Sequence, residues 1–232
     1  MSMGENVEFA SDGDKASAYL ATAKEGAGPG MIVVQEWWGL DSYITGVCDE
    51  LAAEGFTALA PDLYHGEATK HTEMDKANEL MNSLPPDRAA RDMAGAVNYL
   101  LGHEAVRGHS VGAVGYCMGG MLALILAGQQ GDKIGAVVAY YGFPTGEMEP
   151  DWSNLTAPVL AHIAENDDFF PPDAAHALED KLAKMGKDVT FHHYPGTGHA
   201  FALEHNALGT HDADAARQAW VRTLEFLRKH LG

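Results

Sequence analysis

The amino-acid sequence predicts an α/β fold, with a mostly parallel central sheet covered by helices on both faces. From Met31 onward, short apolar runs alternate with longer amphipathic stretches, which is typical of repeated strand–helix units. The chain has 232 residues and 46% of them are hydrophobic, enough for a large core. Since α/β folds of this length commonly remain undivided, we expect one domain over residues 1–232.

The positions of the elements follow from the hydrophobic pattern. Short apolar runs predict strands over residues 31–35, 57–60, 112–115, 136–140, 159–163 and 189–194. Apolar residues spaced three to four apart predict helices over residues 42–54, 72–82, 87–101, 118–127, 172–185 and 212–230. Two N-terminal runs, 7–10 and 16–21, flank the turn from Ser11 to Asp14 and predict a hairpin of antiparallel strands at the sheet edge.

Composition narrows the classes of function. The formal net charge of −18 disfavours binding to nucleic acid or to anionic membranes, and it repels anionic substrates at long range. The N-terminus lacks a basic segment followed by an apolar run, so we expect no signal peptide and a soluble, cytoplasmic protein. We expect a small molecule as the substrate and a monomer or homodimer as the assembly.

The two cysteines occupy different sequence contexts. Cys48 shares a predicted helical face with Ile44 and Leu51, so we interpret it as a small buried hydrophobic residue. Cys117 lies at the apex of a glycine-bracketed turn between a strand-like run and a helical run. This Gly-x-Nuc-x-Gly pattern is typical of a nucleophile elbow, which presents a reactive side chain at a helix N-terminus. A structural cysteine in a glycine-rich turn is the alternative.

Two further predicted strands are followed by polar side chains suited to activating a thiol. His199 lies in a glycine-flanked segment after the last strand and could take the thiol proton. Asp167 or Asp168 follows the preceding strand and could orient the imidazole. The Asp-x-x-apolar-Pro spacing favours Asp167, whereas Asp168 could instead cap the next helix. The order nucleophile, acid, histidine is the chain order of α/β hydrolases.

A metal-dependent hydrolase is the rival chemistry. The chain has 12 histidines, but it contains neither a His-x-x-x-His helix pair nor a Cys-x-x-Cys motif. We therefore expect no metal and no cofactor.

Six sequence segments together resemble the dienelactone hydrolases, cysteine-dependent members of the α/β-hydrolase fold. They occur in the order of that family and span nearly the whole chain: Gln35-Glu36-Trp37-Trp38-Gly39, Ala60-Pro61-Asp62-Leu63-Tyr64, Gly115-Tyr116-Cys117-Met118-Gly119-Gly120, Tyr140-Tyr141-Gly142, Asn166-Asp167-Asp168-Phe169-Phe170-Pro171 and Gly198-His199-Ala200-Phe201. The elbow combined with Gln-Glu-x-x-Gly is a specific pair of motifs. The resemblance implies the α/β-hydrolase fold and hydrolysis of an ester or lactone.

The resemblance also implies roles for individual residues. Cys117, His199 and Asp167 would form the catalytic triad. Glu36 would contact the resting cysteine and keep its thiol neutral until substrate displaces the carboxylate, which agrees with the effect of a negative neighbour on a thiol. The backbone N–H groups of Met118 and Trp37 would form the oxyanion hole.

The expected substrate pocket is aromatic. We expect it to be framed by aromatic side chains near the strand ends, namely Trp37, Trp38, Tyr64, Tyr141, Phe169 and Phe201. For Trp38 and Phe201, packing in the core is an equal alternative. The sequence departs from the family where two arginines hold the substrate carboxylate. Leu203 stands at one such position, and residues 65–86 contain no arginine at the other.

The missing arginine pair favours a neutral ester or lactone over dienelactone itself. Thioester or peptide-bond hydrolysis at the same site is an alternative activity. A ligand-binding protein without turnover is a further alternative, which the filled triad positions disfavour.

Overall fold

The structure is a computed structural model that describes residues 4–232. Eight strands form one sheet in the order β1-β2-β4-β3-β5-β6-β7-β8. The strands are β1 (Gly4–Ser11), β2 (Asp14–Ala21), β3 (Gly28–Val34), β4 (Thr57–Pro61), β5 (Val106–Tyr116), β6 (Ile134–Tyr140), β7 (Val159–Asn166) and β8 (Val189–Gly198). The helices are α1 (Ser42–Ala53), α2 (Met74–Ser83), α3 (Pro86–Leu101), α4 (Met118–Gln130), α5 (Pro172–Lys184) and α6 (Ala213–Leu231). The α/β fold that the sequence predicts is confirmed.

The chain divides into two compact units, residues 1–113 and 114–232, and the boundary falls inside β5. We call them the N-terminal and the C-terminal unit. A single domain over residues 1–232 stays a prediction. Within residues 4–232, no helix is both long and apolar enough to cross a bilayer.

The N-terminal unit contains the predicted hairpin. β1 and β2 pair antiparallel, β2 pairs antiparallel with β4, and β3 pairs parallel with β4. The Asp41 side chain caps α1 by accepting hydrogen bonds from the N–H groups of Tyr43 and Ile44. α1 places Cys48 in the core with no exposed surface, and this burial raises the pKa of its thiol. Cys48 is therefore the buried apolar residue that its sequence context indicates.

The C-terminal unit is built on the parallel strands β6, β7 and β8. α4 packs against β6, α5 against β7 and β8, and α6 against β6 and β7.

A buried cluster of polar side chains joins α6 to the strands β6, β7 and β8. His162 of β7 lies 3.0 Å from the Thr223 hydroxyl and 2.9 Å from the Tyr194 hydroxyl, and Thr223 Oγ1 lies 2.7 Å from the Tyr140 hydroxyl. Desolvation, aided by the charges of His192 and Arg222, holds the pKa of His162 well below its ordinary value.

The last two strands are longer than the sequence predicts. β7 extends to Asn166, and β8 continues through Pro195-Gly196-Thr197-Gly198, a stretch whose proline and glycines indicate a loop. After a register shift between Ala164 and Asn166, Asn166 pairs with Gly198. Side chains support this extension, because Glu165 accepts from the Gly196 N–H at 2.7 Å and Thr197 donates to the Tyr194 carbonyl at 2.8 Å. The predicted strand ends at 163 and 194 were therefore too early.

Candidate active site

Cys117 lies in a sharp turn between β5 and α4. Its backbone has φ +55° and ψ −121°, a conformation rare for a residue with a side chain. Cys117 as a whole is only half-buried. The Cys117 N–H donates to the Tyr140 carbonyl at 2.9 Å, which holds the turn against the end of β6. This arrangement is what a nucleophile elbow requires.

Glycines make the turn possible by permitting close backbone approach. A Cβ atom at Gly115 would collide with the Gly119 carbonyl, and one at Gly142 would collide with the Cys117 carbonyl. Gly115, the first glycine of the Gly-x-Cys-x-Gly-Gly motif, and Gly142 after β6 are thus steric requirements of the turn. Met118 begins α4, so the thiol lies at the positive end of the helix dipole, which favours a thiolate.

Asp167 follows directly after β7 and its side chain is fixed by three hydrogen bonds. Oδ1 accepts from the N–H groups of Phe169 and Phe170 at 2.9 and 2.8 Å, and Oδ2 lies 2.8 Å from Nδ1 of His199. Only 1% of the Asp167 side chain is exposed. Asp168 is exposed to solvent, and the N-cap of α5 is Pro171 rather than an aspartate.

His199 lies in a turn immediately after β8. Its side chain is 6% exposed, and its carbonyl accepts a hydrogen bond from Thr210 Oγ1 at 2.5 Å. Because Nδ1 faces a carboxylate, the neutral imidazole carries its proton on Nδ1 and presents Nε2 as the acceptor. That tautomer is the one a general base needs.

Aromatic rings enclose the His199 imidazole. Phe170 stacks on it with ring centroids 5.7 Å apart, Tyr141 meets it edge-on at 5.3 Å, and Phe169 lies 4.8 Å away. Phe169 is 56% exposed, whereas Tyr141 and Phe201 have no exposed surface. Phe201 packs on Tyr141 and Tyr194, so at least part of the expected pocket wall is also core.

A second group of expected site residues lies at the end of β3, in the N-terminal unit. Glu36 is 2% exposed, Trp37 is half-buried, and Trp38 is buried. The Tyr64 hydroxyl donates to the Trp37 carbonyl at 3.2 Å, which fixes that loop to the segment after β4. Gln35 reinforces the link, because its Oε1 accepts from the Leu63 N–H at 3.0 Å.

Arg88 is a residue that sequence reasoning missed. It lies in the first turn of α3, two positions beyond the arginine-free residues 65–86, and donates to the Leu63 carbonyl at 3.4 Å. Its Nε is buried with no hydrogen-bond partner among residues 4–232. Leu203, which stands where the family resemblance implies an arginine, is 1% exposed. A wider window after the Asp-Leu-Tyr motif would have included Arg88.

Comparison with known proteins places the chain among dienelactone hydrolases. The model of the dienelactone hydrolase family matches residues 16–231. The protein of Aquifex pyrophilus named Protein usf is 36% identical over 99% of this chain and 100% of its own length. An Aquifex aeolicus protein named as a candidate carboxymethylenebutenolidase is 32% identical, with the same two coverages.

A solved structure supports the fold. The crystal structure of a candidate dienelactone hydrolase from Klebsiella pneumoniae superposes with a TM-score of 0.84 at 25% identity. The match covers 97% of this chain and 99% of that one. The mostly parallel sheet is therefore that of a dienelactone hydrolase.

Proposed function

Because the chain belongs to the dienelactone hydrolase family, a family of hydrolases, we propose that it cleaves a carboxylic ester or lactone with Cys117 as the nucleophile. His199 is the proton carrier and Asp167 orients it. The observation that carries this assignment is the 2.8 Å contact between His199 Nδ1 and Asp167 Oδ2, which leaves Nε2 to serve the thiol. The favoured acid is Asp167 because Asp168 points to solvent.

Two chemical steps follow from these groups. The Cys117 thiol gives its proton to His199 Nε2, and Sγ bonds to the ester carbonyl carbon. The resulting oxyanion collapses, the bond to the alcohol oxygen breaks, and His199 returns the proton to that oxygen, which leaves a thioester on Cys117. Water then gives a proton to His199 and attacks the thioester carbon. Collapse releases the carboxylic acid, and the Cys117 thiolate regains the proton. Neither a metal nor a cofactor is needed.

The oxyanion of each step needs preorganised donors. We assign this role to the backbone N–H groups of Met118, the first residue of α4, and Trp37, which follows β3. The position of Met118 supports the first donor, because its N–H directly follows the strained turn at Cys117 and begins α4.

Glu36 is assigned as the carboxylate that holds the resting thiol neutral. The assignment rests on the family resemblance and on its burial at the end of β3, where a carboxylate is costly to place without a function. Substrate that displaces this carboxylate would release the thiolate only when it is needed.

The substrate class follows from the aromatic surroundings. The exposed face of Phe169 beside His199 offers apolar contact at the site, at about 25 cal/mol per Å² buried. We assign Trp38, Tyr64, Tyr141 and Phe201 to the walls of the same pocket. A neutral ester or lactone with a small apolar acyl group fits such a lining better than an anion.

The test is hydrolysis of p-nitrophenyl acetate, a panel of thioesters and amides, and dienelactone by the purified enzyme and by Cys117→Ala. We expect ester turnover with an initial burst, and a loss of about three orders of magnitude or more in Cys117→Ala. Cys48→Ala is the matched control and should retain its activity. Preference for thioesters or amides would replace the ester assignment, and absence of any turnover would indicate a ligand-binding protein.

A further inference from the structure

Three potential metal ligands meet on the surface of the C-terminal unit, formed by α5 and β8. His176 and Glu179 are one turn apart on α5, and His193 comes from β8. Glu179 Oε2 lies 3.9 Å from His176 Nδ1 and 3.9 Å from His193 Nε2. The three ligand atoms all lie within 4.8 Å of one another.

The ligand set suits a borderline divalent ion. Two imidazole nitrogens and one carboxylate, with a fourth position open to water, are a frequent zinc environment. Bonds of about 2.05 Å in a tetrahedral site place ligand atoms about 3.3 Å apart. The two 3.9 Å spacings to Glu179 must therefore contract by about half an ångström, and the spacing between the two imidazole nitrogens, which lie within 4.8 Å of each other, by at most about 1.5 Å. The rings of His176 and His193 are stacked 4.0 Å apart, and binding requires one to turn. His176 can turn because 59% of its side chain is exposed.

The buried ring nitrogen of His193 has no other role among the described residues. Its Nε2 atom is buried without a hydrogen-bond partner among residues 4–232, since 3.9 Å to Glu179 is beyond hydrogen-bonding range. A ring nitrogen without a hydrogen-bond partner, close to a carboxylate and a second imidazole, is positioned to coordinate a metal.

We propose that His176, Glu179 and His193 bind one Zn²⁺ ion, at a site separate from Cys117 and its partners. The ion would join α5 to β8. These two elements adjoin the proposed catalytic residues, because α5 follows the loop of Asp167 and β8 ends one residue before His199. An ion that binds only the folded chain stabilises it by mass action. The proposal does not depend on the esterase assignment.

The experiment uses tag-free, chelator-treated protein in the Cys117→Ala background, so that the thiol cannot bind the metal. Calorimetric titration with ZnCl₂ should give one site, and saturation should raise the melting temperature. Co²⁺ should give visible d–d bands of a tetrahedral site. His176→Ala, Glu179→Gln and His193→Ala should each weaken binding by more than about tenfold, since even groups outside the ligand set can contribute that much.

Matched controls lie next to the site and on another strand. Asp180→Asn removes the neighbouring carboxylate of α5, and His109→Ala removes an exposed histidine of β5. Both should bind Zn²⁺ like the parent. His176→Ala serves as the main variant because 59% of its side chain is exposed, so we expect the variant to fold like the parent. The proposal is overturned if His176→Ala and Glu179→Gln bind zinc as tightly as the controls, or if the parent takes up no zinc.

Discussion

Nδ1 of His199 lies 2.8 Å from Oδ2 of Asp167, and both side chains are almost fully buried. Oδ1 of the same carboxylate is held by two backbone N–H groups of the following loop. The carboxylate therefore cannot rotate away without losing three hydrogen bonds, and the orientation of the imidazole is set by the backbone after β7. This pair explains why two adjacent aspartates have different expected roles.

The two cysteines should differ sharply in reactivity. Cys117 is half-exposed at a helix N-terminus, whereas Cys48 is fully buried and burial raises the pKa of its thiol. We expect iodoacetamide to modify Cys117 first and to abolish ester hydrolysis with one equivalent incorporated. Peptide mapping by mass spectrometry checks the site. Modification of Cys48 before loss of activity would contradict the assignment.

Asp167→Asn should lower kcat by about two to four orders of magnitude, because the amide cannot hold the imidazole in the required tautomer. Asp168→Asn, the matched control, should change kcat by no more than about twofold, since its side chain is exposed. Steady-state kinetics with p-nitrophenyl acetate measures both. Equal losses, or a larger loss in Asp168→Asn, would move the role to Asp168.

Glu36→Gln should change how thiol alkylation depends on pH. Removal of a negative neighbour favours the thiolate, so alkylation of the free enzyme should persist to a pH lower by about one unit. Turnover should change as well. The control is Glu147→Gln, which removes an exposed carboxylate of the C-terminal unit. An alkylation profile identical to that of the control would show that Glu36 does not act on the resting cysteine.

Neutral esters should exceed dienelactone in kcat/KM. Leu203 stands where the family resemblance implies an arginine, and the net charge of −18 repels a carboxylate at long range. The measurement compares p-nitrophenyl acetate and butyrate with cis- and trans-dienelactone at low and moderate salt. Arg88→Leu should keep the same preference. A wild-type preference for dienelactone that disappears in Arg88→Leu would identify Arg88 as the carboxylate partner.

The buried His162 should make stability depend on pH. Its pKa is depressed in the folded state, so the unfolded chain takes up a proton first as the pH falls below about 6.5. The contribution of the neutral His162 to the free energy of unfolding is therefore complete above pH 6.5. It is lost below that pH, by up to about 1.4 kcal/mol per pH unit. Denaturant unfolding measured at several pH values should show that the free energy of unfolding falls less steeply with decreasing pH in His162→Gln than in the wild type or in His109→Gln. Equal slopes would contradict the linkage.

Local patterns were enough to predict most of the fold. The apolar alternation predicts every strand of the parallel sheet, and the turn at Ser11–Asp14 predicts the hairpin of β1 and β2. The elbow is also readable from sequence, since the glycines around Cys117 meet a steric demand of the turn itself. The ends of β7 and β8 were not predictable, because polar side chains such as Glu165 and Thr197 support those extensions.

Sequence by itself determined which residue types follow each strand, because strand and helix periodicity and glycine sterics are properties of neighbouring residues. Its motif spacing favoured Asp167 over Asp168 as the partner of His199 without deciding between them. It did not show where Arg88 lies or that His193 meets His176 and Glu179. Those relationships join residues of different elements, and only packing decides them. A one-residue change of register or loop path reverses which side chain is buried. The tertiary structure therefore decides that Asp167, rather than Asp168, faces the histidine.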